Sequence, residues 1–327
     1  MFGIFSSVRA ICRLVIFTEM TKPESQIFRI AGLGELIWDL LPTGKRLGGA
    51  PSNFAHISAL LGDKAVIASR VGNDQLGIEA LTELREKGIP EQHVQRDIEH
   101  STGTVGVSIG EHGEPNFLVN ENSAWDYLEF TPKWHALAAQ MDAVCFGTLG
   151  QRKPKARETI MLFLEATRPG CLRIFDVNLR HSFFTRPLLE DSLNHSTIVK
   201  LNHEEILQVG DLLNSPTFSE TEIARLLIRR FKIELVAITR GPDGCALITA
   251  ADCVEHPGFK ANVVDTIGAG DGFTAMLVHL YLRDAPLRII AEEANRMGAW
   301  ITSQSGATPK IKPTDLQEAL KTLTVKS

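Results

Sequence analysis

From Phe28 onward, the chain alternates short apolar runs with longer amphipathic runs. The short runs are rich in Val, Ile and Phe and lack strict apolar–polar alternation, which is typical of strands buried on both faces. The longer runs carry apolar residues at helical spacing. This alternation of strand and helix predicts an α/β fold in which helices flank both faces of a mostly parallel central sheet.

The same pattern sets the expected bounds of the elements. Strands are predicted at Phe28–Leu33, Ala65–Ser69, Ala143–Gly147, Leu172–Asp176, Thr197–Leu201 and Leu235–Thr239. Helices are predicted at Ala50–Leu61, Gln75–Lys87, Lys155–Thr167, Ser219–Phe231, Gly272–Leu282, Leu287–Ser303 and Thr314–Leu323.

Two stretches break the alternation because no helix separates their strand-like pieces. Glu35–Pro42 is a strand candidate, and His93–Val119 contains the pieces HVQR, TVGVSI and PNFLV. Turns are expected at Gly103 and at His112-Gly113, where glycine allows the chain to reverse. Residues 35–42 and 93–119 therefore predict a small antiparallel β-lid outside the main sheet.

Composition narrows the class of protein. The chain has 327 residues, 44% of them hydrophobic, and 34 Lys and Arg against 39 Asp and Glu give a net charge of −5. Such a chain can bury a large core, and its acidic balance argues against a dedicated nucleic-acid binder. The five cysteines include no C-x-x-C pair and are interpreted as reduced, buried thiols of a cytoplasmic protein.

Residues 1–25 are interpreted as an N-terminal extension to one domain that spans residues 26–327. The first seventeen residues are apolar and basic, but Arg9 and Arg13 interrupt them and no A-x-A-like site follows. Translation that starts at Met20 is one interpretation, and a frayed amphipathic extension is the other. No apolar run reaches the length of a transmembrane helix, so no membrane partner is expected.

The strongest local motif is the run DTIGAGDG at 265–272, which precedes an apolar helix. Small residues there let backbone N–H groups at the helix N-terminus point at an anion. Asp271 would lie beside that anion, where a base that takes a proton from an attacking hydroxyl is needed. The alternative is an ordinary loop in which Asp271 caps the helix.

A second motif, Gly48-Gly49, precedes the first predicted helix. Paired glycines let the backbone approach a ligand closely, and Asp39 and Asn53 could then hold the vicinal hydroxyls of a sugar. Taken singly, Gly48-Gly49 could be a simple turn and Asn53 a surface residue of the helix.

Polar segments also follow three predicted strands, at the sheet edge where open α/β folds bind ligands. DVNLR at 176–180 follows one strand, and Asn202 and Glu205 follow another. Glu205 could hold a hydrated Mg²⁺ near a phosphate, or it could be a solvated glutamate in a first helical turn. The segment at 239–244, TRGPDG, could be a simple hairpin or could shape a nucleotide pocket.

Motifs of several other enzyme classes are absent from the sequence. Gly32-Leu33-Gly34 is followed by Ile37 where the dinucleotide-binding fingerprint has its third glycine. The sequence contains no G-x-x-x-x-G-K-[ST] loop, H-R-D loop or H-E-x-x-H helix. A nucleotide-dependent oxidoreductase is therefore disfavoured.

Together, these segments resemble the PfkB (ribokinase-like) family of carbohydrate kinases. LGGAPSN at 47–53, RVGND at 70–74 and DTIGAGDGF at 265–273 follow the family's order and spacing, and the similarity extends from Ile27 to about Pro313. GELIWDLLP at 34–42, AWD at 124–126, FGTLGQR at 146–152 and DVNLR at 176–180 are most similar to bacterial fructokinases. The resemblance implies a ribokinase-like fold with a small β-lid.

The resemblance also implies a role for each matching position. Asp271 matches the base that deprotonates the sugar hydroxyl, and Gly268, Ala269 and Gly270 match the anion hole for the phosphoryl group. The sugar-binding positions are Asp39, Gly48, Gly49 and Asn53. Asn202 and Glu205 match the N-x-x-E motif that places Mg²⁺ and phosphate, with Glu205 acting through water. The ATP-contacting positions are Thr239, Gly241, Gly244 and Asn295. The monovalent-cation (K⁺) positions are Asp265, Ile267, Ile301, Gln304 and Gly306.

The function expected from this resemblance is ATP-dependent phosphorylation of a small sugar, with fructose as the first choice. Alternatives within the fold are 2-keto-3-deoxygluconate, ribose or a nucleoside, and an alternative of another class is an inactive family member that acts as a binding module. Arg152 and Arg180 are further candidates to face the ligands. A homodimer through the β-lid is also expected, because lid strands would leave open edges in a monomer.

Overall fold

The structure is a computed structural model that describes residues 26–41, 44–109, 115–180, 183–214 and 219–326. The N-terminal extension, Pro42 and the turn expected at His112-Gly113 lie outside the described residues. The strands are β1 (Arg29–Leu33), β2 (Ile37–Leu41), β3 (Gly44–Gly48), β4 (Lys64–Gly72), β5 (Val94–Asp97), β6 (Gly103–Ile109), β7 (Pro115–Val119), β8 (Ala143–Gly147), β9 (Leu172–Asp176), β10 (Ile198–Asn202), β11 (Leu235–Thr239), β12 (Cys245–Ile248), β13 (Cys253–His256), β14 (Phe259–Lys260) and β15 (Thr324–Val325). The helices are α1 (Ala50–Leu60), α2 (Gln75–Glu86), α3 (Pro132–Ala138), α4 (Pro154–Glu165), α5 (Arg186–Asn194), α6 (His203–Leu212), α7 (Glu220–Phe231), α8 (Ala269–Tyr281), α9 (Leu287–Thr302) and α10 (Pro313–Leu320).

The main sheet has nine strands in the order β13-β12-β11-β10-β9-β8-β1-β4-β5. All neighbours pair in parallel except β11 with β12 and β12 with β13, which are antiparallel. The six predicted strands form the parallel part of this sheet together with β5, which pairs in parallel with β4 at the edge. β12 and β13 were not predicted, because each has only four residues and their hairpin follows a polar turn.

Helices cover both faces of the sheet, which confirms the predicted fold class. Adjacent residues of β8 and β9 alternate between the two cores: Phe146 stacks on Phe175 with ring centroids 5.2 Å apart, whereas Cys145 and Ile174 lie on the opposite face. Helices α4, α6 and α7 pack on the first face, and α1, α8 and α9 pack on the second. This arrangement brings the N-termini of α1, α6 and α8 to the ends of the parallel strands, where ligands bind in such sheets.

The lid is a separate four-stranded sheet in the order β3-β2-β6-β7. Three details of the prediction are wrong, and one strand was missed. The lid is mixed and not antiparallel, because β2 pairs with β6 in parallel. The HVQR piece belongs to β5, which extends the main sheet beside β4. Gly103 lies in β6 and not in a turn, and β3 was missed because its sequence GKRLG is polar and glycine-rich.

Three helices were also missed, and one begins earlier than expected. α3 has seven residues, and α5 and α6 follow polar segments that hide their helical spacing. α8 begins at Ala269, three residues before the predicted start, because the Gly-Ala-Gly sequence is a weak signal for a helix.

Two further expectations can be compared with the described residues. None of the helices described is long and apolar enough to cross a membrane. Among the cysteines, Cys145, Cys171 and Cys245 are free and buried, as expected. Cys253 is free but exposed, because it begins the short edge strand β13.

Candidate active site

The N-terminus of α8 is built by a glycine and not by a side-chain cap. Gly268 is the N-cap residue with φ of 80°, and no side chain accepts a hydrogen bond there. A Cβ at Gly268 would lie 2.2 Å from the Cβ of Ala307, so this position needs glycine for both its φ and its packing. Asp271 lies within the first turn, and its interpretation as a helix cap is therefore wrong. The first N–H groups of α8 have no partner within the helix, as in an anion site, although the Ala269 amide donates to the Thr266 carbonyl at 3.3 Å.

Asp271 is held by the residue predicted to share its site. The Asn53 Nδ2 on α1 donates to Oδ2 of Asp271 at 2.8 Å. Burial, followed by the negative charge of Asp176, raises the pKa of Asp271 to about 6, while Asn53, Lys200 and Arg180 oppose the rise. The carboxylate is therefore a stronger base than an ordinary aspartate, yet it is still mostly ionised at neutral pH.

A buried lysine that the sequence analysis missed lies beneath the same loop. The Nζ atom of Lys200, on β10, is 3.0 Å from Oδ1 of Asp176, and Thr274 donates to the other oxygen of that carboxylate at 3.0 Å. A Cβ added at Gly270 would come within 2.8 Å of the same Nζ atom. Burial alone would lower the pKa of Lys200, but Asp176, Glu205 and Asp271 together raise it. The sequence signal that could have identified Lys200 was a lysine within the otherwise apolar strand IVKLN at 198–202.

The glycine pair at the start of α1 makes room for the carboxyl group of Asp39 and for the backbone carbonyl of Glu35. A Cβ at Gly48 would lie 2.5 Å from Oδ2 of Asp39, and a Cβ at Gly49, where φ is 101°, would lie 2.5 Å from the Glu35 carbonyl oxygen. Burial, followed by Asp265, raises the pKa of Asp39 to about 6, and Arg46 opposes the rise. The turn interpretation is incomplete, because Gly48 ends β3 and Gly49 is the N-cap of α1.

Glu35 is a second residue that the sequence analysis did not assign to the site. Its side chain is 2% exposed, and its Oε2 atom has no hydrogen-bond partner among the described residues. Burial raises the pKa of Glu35 to about 7. The backbone amide of Glu35 opposes this rise, and the negative charge of Asp271 adds to it. The Ala50 amide and Arg180 oppose the rise as well. Arg180 thus acts electrostatically on both Glu35 and Asp271, although its own side chain is exposed.

The N-x-x-E motif forms a capping box at the start of α6. The Asn202 side chain accepts from the Glu205 amide at 2.8 Å, and Glu205 accepts from the Asn202 amide at 2.8 Å and from the Leu179 amide at 2.9 Å. Glu205 is only 5% exposed, so its interpretation as a solvated glutamate is wrong. It ties the DVNLR segment to α6. Within the described residues, no group of three or more His, Cys, Asp and Glu side chains is placed to hold a metal ion.

The four predicted ATP-contacting positions lie around the β11–β12 hairpin. Thr239 is the last residue of β11. Gly241 and Gly244 lie at the two ends of the turn between β11 and β12, with φ values of 55° and 80°. A Cβ at Gly244 would lie 1.8 Å from the His256 carbonyl oxygen, so only glycine fits there. On α9, Asn295 is buried and donates to the Ala291 carbonyl at 2.7 Å and to Sγ of Cys245 at 2.9 Å. The hairpin interpretation is confirmed, and the nucleotide pocket stays a prediction.

Residues of the predicted cation set are joined by hydrogen bonds. Asp265 accepts from the amides of Ile267 at 3.0 Å and Gly306 at 3.1 Å, and the Gln304 amide donates to the Ile301 carbonyl at 2.9 Å.

An arginine of the lid, which the sequence analysis missed, reaches this set. Nη1 of Arg46 on β3 is 3.3 Å from Oδ2 of Asp265, and Nη2 donates to Ser305 at 2.9 Å. Arg46 gave no sequence signal, because its partner lies on another element. A cavity of about 280 Å³ separates β3 from residues 305–310, and Asp39, Gly48 and Ile267 line it.

Comparisons with known proteins cover most of the chain. Residues 34–315 match the model of the pfkB family of carbohydrate kinases. A fructokinase of Escherichia coli is 28% identical over 295 residues, which cover 84% of this chain and 93% of that protein.

A protein of Pyrococcus horikoshii described as an uncharacterized sugar kinase is 30% identical over 302 residues, which cover 86% of this chain and 93% of that protein. The structure of that kinase in complex with ATP has a TM-score of 0.77 at 28% identity and covers 89% of this chain and 99% of its own. The fructokinase of Vibrio cholerae, solved with fructose, ADP and calcium ion, has a TM-score of 0.76 at 24% identity; it covers 90% of this chain and 99% of its own and shares the fold.

Proposed function

This chain belongs to the pfkB family of carbohydrate kinases and transfers a phosphoryl group to a sugar hydroxyl, and we propose that its sugar is a free ketohexose, with fructose as the first candidate. The observation that carries the kinase chemistry is the Asp271 carboxylate, held by Asn53 in the first turn of α8 beside Gly268. The choice of fructose is supported by the similarity to the Escherichia coli fructokinase.

In the proposed reaction, Asp271 accepts the proton of the sugar hydroxyl. The sugar oxygen then forms its bond to the γ-phosphorus of ATP, the bond from that phosphorus to the bridging oxygen breaks, and ADP leaves. Asn53 orients the base through its hydrogen bond at 2.8 Å. Phosphoryl transfer depends mainly on positioning and on charge stabilisation, so a base held by a hydrogen bond in the first turn of α8 suits this chemistry.

Charge on the transferred phosphoryl group would be stabilised from two sides. The N–H groups of Gly268, Ala269 and Gly270 would donate from the helix N-terminus, where the helix dipole is also favourable. The ammonium of Lys200 lies directly behind Gly270 and adds a positive charge that its ion pair with Asp176 partly offsets. We propose that the sugar itself is held by Asp39 and Asn53, with Gly48 and Gly49 allowing its close approach.

The remaining predicted positions fit supporting roles. Both Glu205 oxygens already accept backbone N–H bonds, so this carboxylate suits a water-mediated contact to Mg²⁺ and not a direct one. When bound, Mg²⁺ would neutralise charge on the ATP phosphates. Asn202 would act with Glu205 in placing Mg²⁺ and phosphate. The β11–β12 hairpin and Asn295 would contact ATP. Asp265 and neighbouring carbonyl groups would hold K⁺.

A homodimer through the lid is proposed from its exposed face. Leu40 on β2, Gly106 on β6 and Leu118 on β7 are paired across the lid and therefore share one face. Leu40 is 40% exposed and Leu118 is 62% exposed. A second copy that packs on this face would cover both leucines. Light scattering at micromolar concentration should give twice the chain mass, and a monomeric mass would contradict the proposal.

A coupled assay of ADP formation across a panel of sugars tests the proposed function. The panel contains fructose, other ketohexoses and aldohexoses, ribose, 2-keto-3-deoxygluconate and a nucleoside, and the Asp271→Asn variant serves as the inactive control. Fructose should give the highest kcat/KM. A higher value with another compound would identify that compound, and not fructose, as the preferred substrate. No transfer to any compound would favour an inactive binding module.

A further inference from the structure

Beneath the lid, Arg152 is buried in a way that is unusual for a charged side chain. Its side chain is 2% exposed, and its Nε and Nη2 atoms each lie 2.7 Å from an oxygen of Asp126. The guanidinium lies 4.1 Å from the Trp125 ring and 5.2 Å from the Phe183 ring. This bidentate pairing and double stacking fix the orientation of the guanidinium.

Two buried donors in this cluster have no hydrogen-bond partner in the part of the chain that the structure describes. They are Nη1 of Arg152 and Nε1 of Trp125. A buried polar group without a partner is destabilising, and such groups are rare in folded proteins unless a ligand or water completes them. The positions of the two donors therefore call for acceptor atoms beyond the residues that the structure describes.

The cluster adjoins the sugar-binding set on the inner face of the lid. Trp125 packs with Leu149 and Ile37, and Ile37 lies two residues before Asp39 on the same face of β2. On the other side, a Cβ at Gly150 would lie 3.3 Å from Oε2 of Glu35. Arg152 thus lies two residues after Gly150, which is next to the buried carboxyl group of Glu35.

Gly103 on the lid makes room for the side chain of Trp125. A Cβ at Gly103, the first residue of β6, would lie 2.3 Å from Nε1 of Trp125. Only glycine lets the indole lie this close to the lid strand. The lid strand and the tryptophan are therefore fitted to each other.

We propose that Nη1 of Arg152 and Nε1 of Trp125 form a two-donor subsite that binds neutral hydroxyl oxygens of the sugar and selects neutral sugars over sugar acids. This proposal rests on the proposed function and adds the substrate class to it. Asp126 already neutralises the charge of Arg152, so the subsite offers hydrogen bonds without a net positive charge. The nearby carboxyl groups of Glu35, Asp39 and Asp271 would further repel a carboxylate on the substrate.

Two conservative variants test the donors separately. Trp125→Phe removes one donor and keeps an aromatic ring beneath the guanidinium, and Arg152→Lys keeps the charge and removes the planar fork. Each should raise KM for the best neutral sugar about tenfold, the value of one lost hydrogen bond, and should leave kcat within about threefold of wild type. Calorimetric titration of the same sugar without ATP should show the same loss of affinity.

Arg283→Met is the matched control for loss of a buried ion pair. Arg283 is also 2% exposed and lies 2.9 Å from Asp63, but Asp63 is not a member of the sugar-binding set. The control should lower the unfolding temperature and leave KM unchanged. An unchanged KM in both Trp125→Phe and Arg152→Lys would overturn the subsite.

Asp126→Asn tests the charge argument directly. It removes the neutralising charge and leaves a side-chain oxygen that can still accept from the Ser123 amide, the bond that Asp126 makes at 3.0 Å. The ratio of kcat/KM for 2-keto-3-deoxygluconate to that for the best neutral sugar should rise at least about tenfold, because Arg152 becomes an unpaired cation. An unchanged ratio would overturn the claimed selection.

The wild-type protein separates this inference from the proposed function. Transfer to sugar acids in preference to neutral sugars would overturn the subsite and leave the kinase activity intact. A wild-type protein that neither binds nor phosphorylates a neutral sugar would overturn both proposals. Binding of a neutral sugar that is lost in Arg152→Lys, but without any transfer, would support the subsite and contradict the proposed function.

Discussion

The floor of the site and the lid above it are built in different ways. On the floor, polar side chains bind one another across elements: Asn53 holds Asp271, and Asp176 is bound by both Lys200 and Thr274. All of these residues come from the main sheet and the helices packed on it. The lid reaches Asp265 and Ser305 through a single arginine, and Leu40 on its outer face is partly exposed.

This difference indicates that the floor and the lid have different roles. Groups that must hold a fixed geometry during phosphoryl transfer lie on rigid elements, where several hydrogen bonds over-determine their positions. Asp39 and Gly48, which are proposed to contact the sugar, lie on lid strands, and such strands can differ among relatives without disturbing the chemistry. Changes on the floor should therefore reduce kcat, whereas changes in the lid should mainly alter KM and sugar choice.

The strongest test of the floor is Asp271→Asn. The amide keeps the size of the side chain but cannot take a proton from the sugar hydroxyl, so kcat should fall at least about a hundredfold, and general-base loss alone can reach about 10⁴-fold. ATP affinity should survive or increase, because a negative charge beside the phosphates is gone. Calorimetry for ATP and a coupled assay for transfer separate the two effects. A variant with near-wild-type kcat would remove Asp271 from its proposed role.

The corresponding test of the lid is Asp39→Ala. Asp39 on β2 should hold sugar hydroxyls in both the ground state and the transition state, so its loss should raise KM with little change in kcat. Two hydrogen bonds to a charged acceptor are worth about 3 kcal/mol, or roughly a hundredfold in KM. Steady-state kinetics with the best sugar check this. An unchanged KM, or a loss confined to kcat, would break the division between floor and lid.

The sequence predicted the fold well where burial alone determines structure. Apart from the edge strand β5, whose sequence is VQRD, each parallel strand is an apolar run, and the predicted bounds of Ala143–Gly147, Leu172–Asp176 and Leu235–Thr239 match the observed strands. It failed where short elements depend on their neighbours. β3 carries Lys45 and Arg46 and is a strand only because β2 pairs with it, and α6 was missed because the polar segment before it obscures its helical spacing.

The same distinction applies to the site. Gly268, Gly270 and Asp271 are neighbours in sequence, so one motif predicts their grouping. Lys200 and Arg46 reach the site only through tertiary structure: one projects from a buried strand beneath Gly270, and the other crosses from the lid to Asp265. A single sequence contains no direct signal for such long-range contacts.

The pH dependence of transfer should report on the floor. Burial raises the pKa of Asp271 to about 6, and only its ionised form can accept a proton, so kcat, on which Asp39 should have little effect, should rise with pH through about 6 and level off above it. At pH 5 it should be about a tenth of the plateau value, since one unit below the pKa about a tenth of the base is ionised. The control is Glu35→Gln, because the pKa of Glu35 is raised to about 7; the acid limb near 6 should persist in it. A flat profile between pH 5 and 8 would contradict the assignment.

The smallest expected effect lies where lid and floor meet, at Asp265. A K⁺ ion held by Asp265 and nearby carbonyl oxygens would support the loop that contains Gly268, and K⁺ fits such oxygen ligands differently from Na⁺. Turnover should therefore be a few-fold faster in K⁺ than in Na⁺, and Asp265→Ala should abolish the difference. Since Asp265 also binds Arg46, Arg46→Met is the matched control: it breaks the contact between lid and floor but should keep the K⁺ preference. Equal wild-type rates in the two salts would rule out the cation role, and loss of the preference in Arg46→Met would assign the effect to the lid instead.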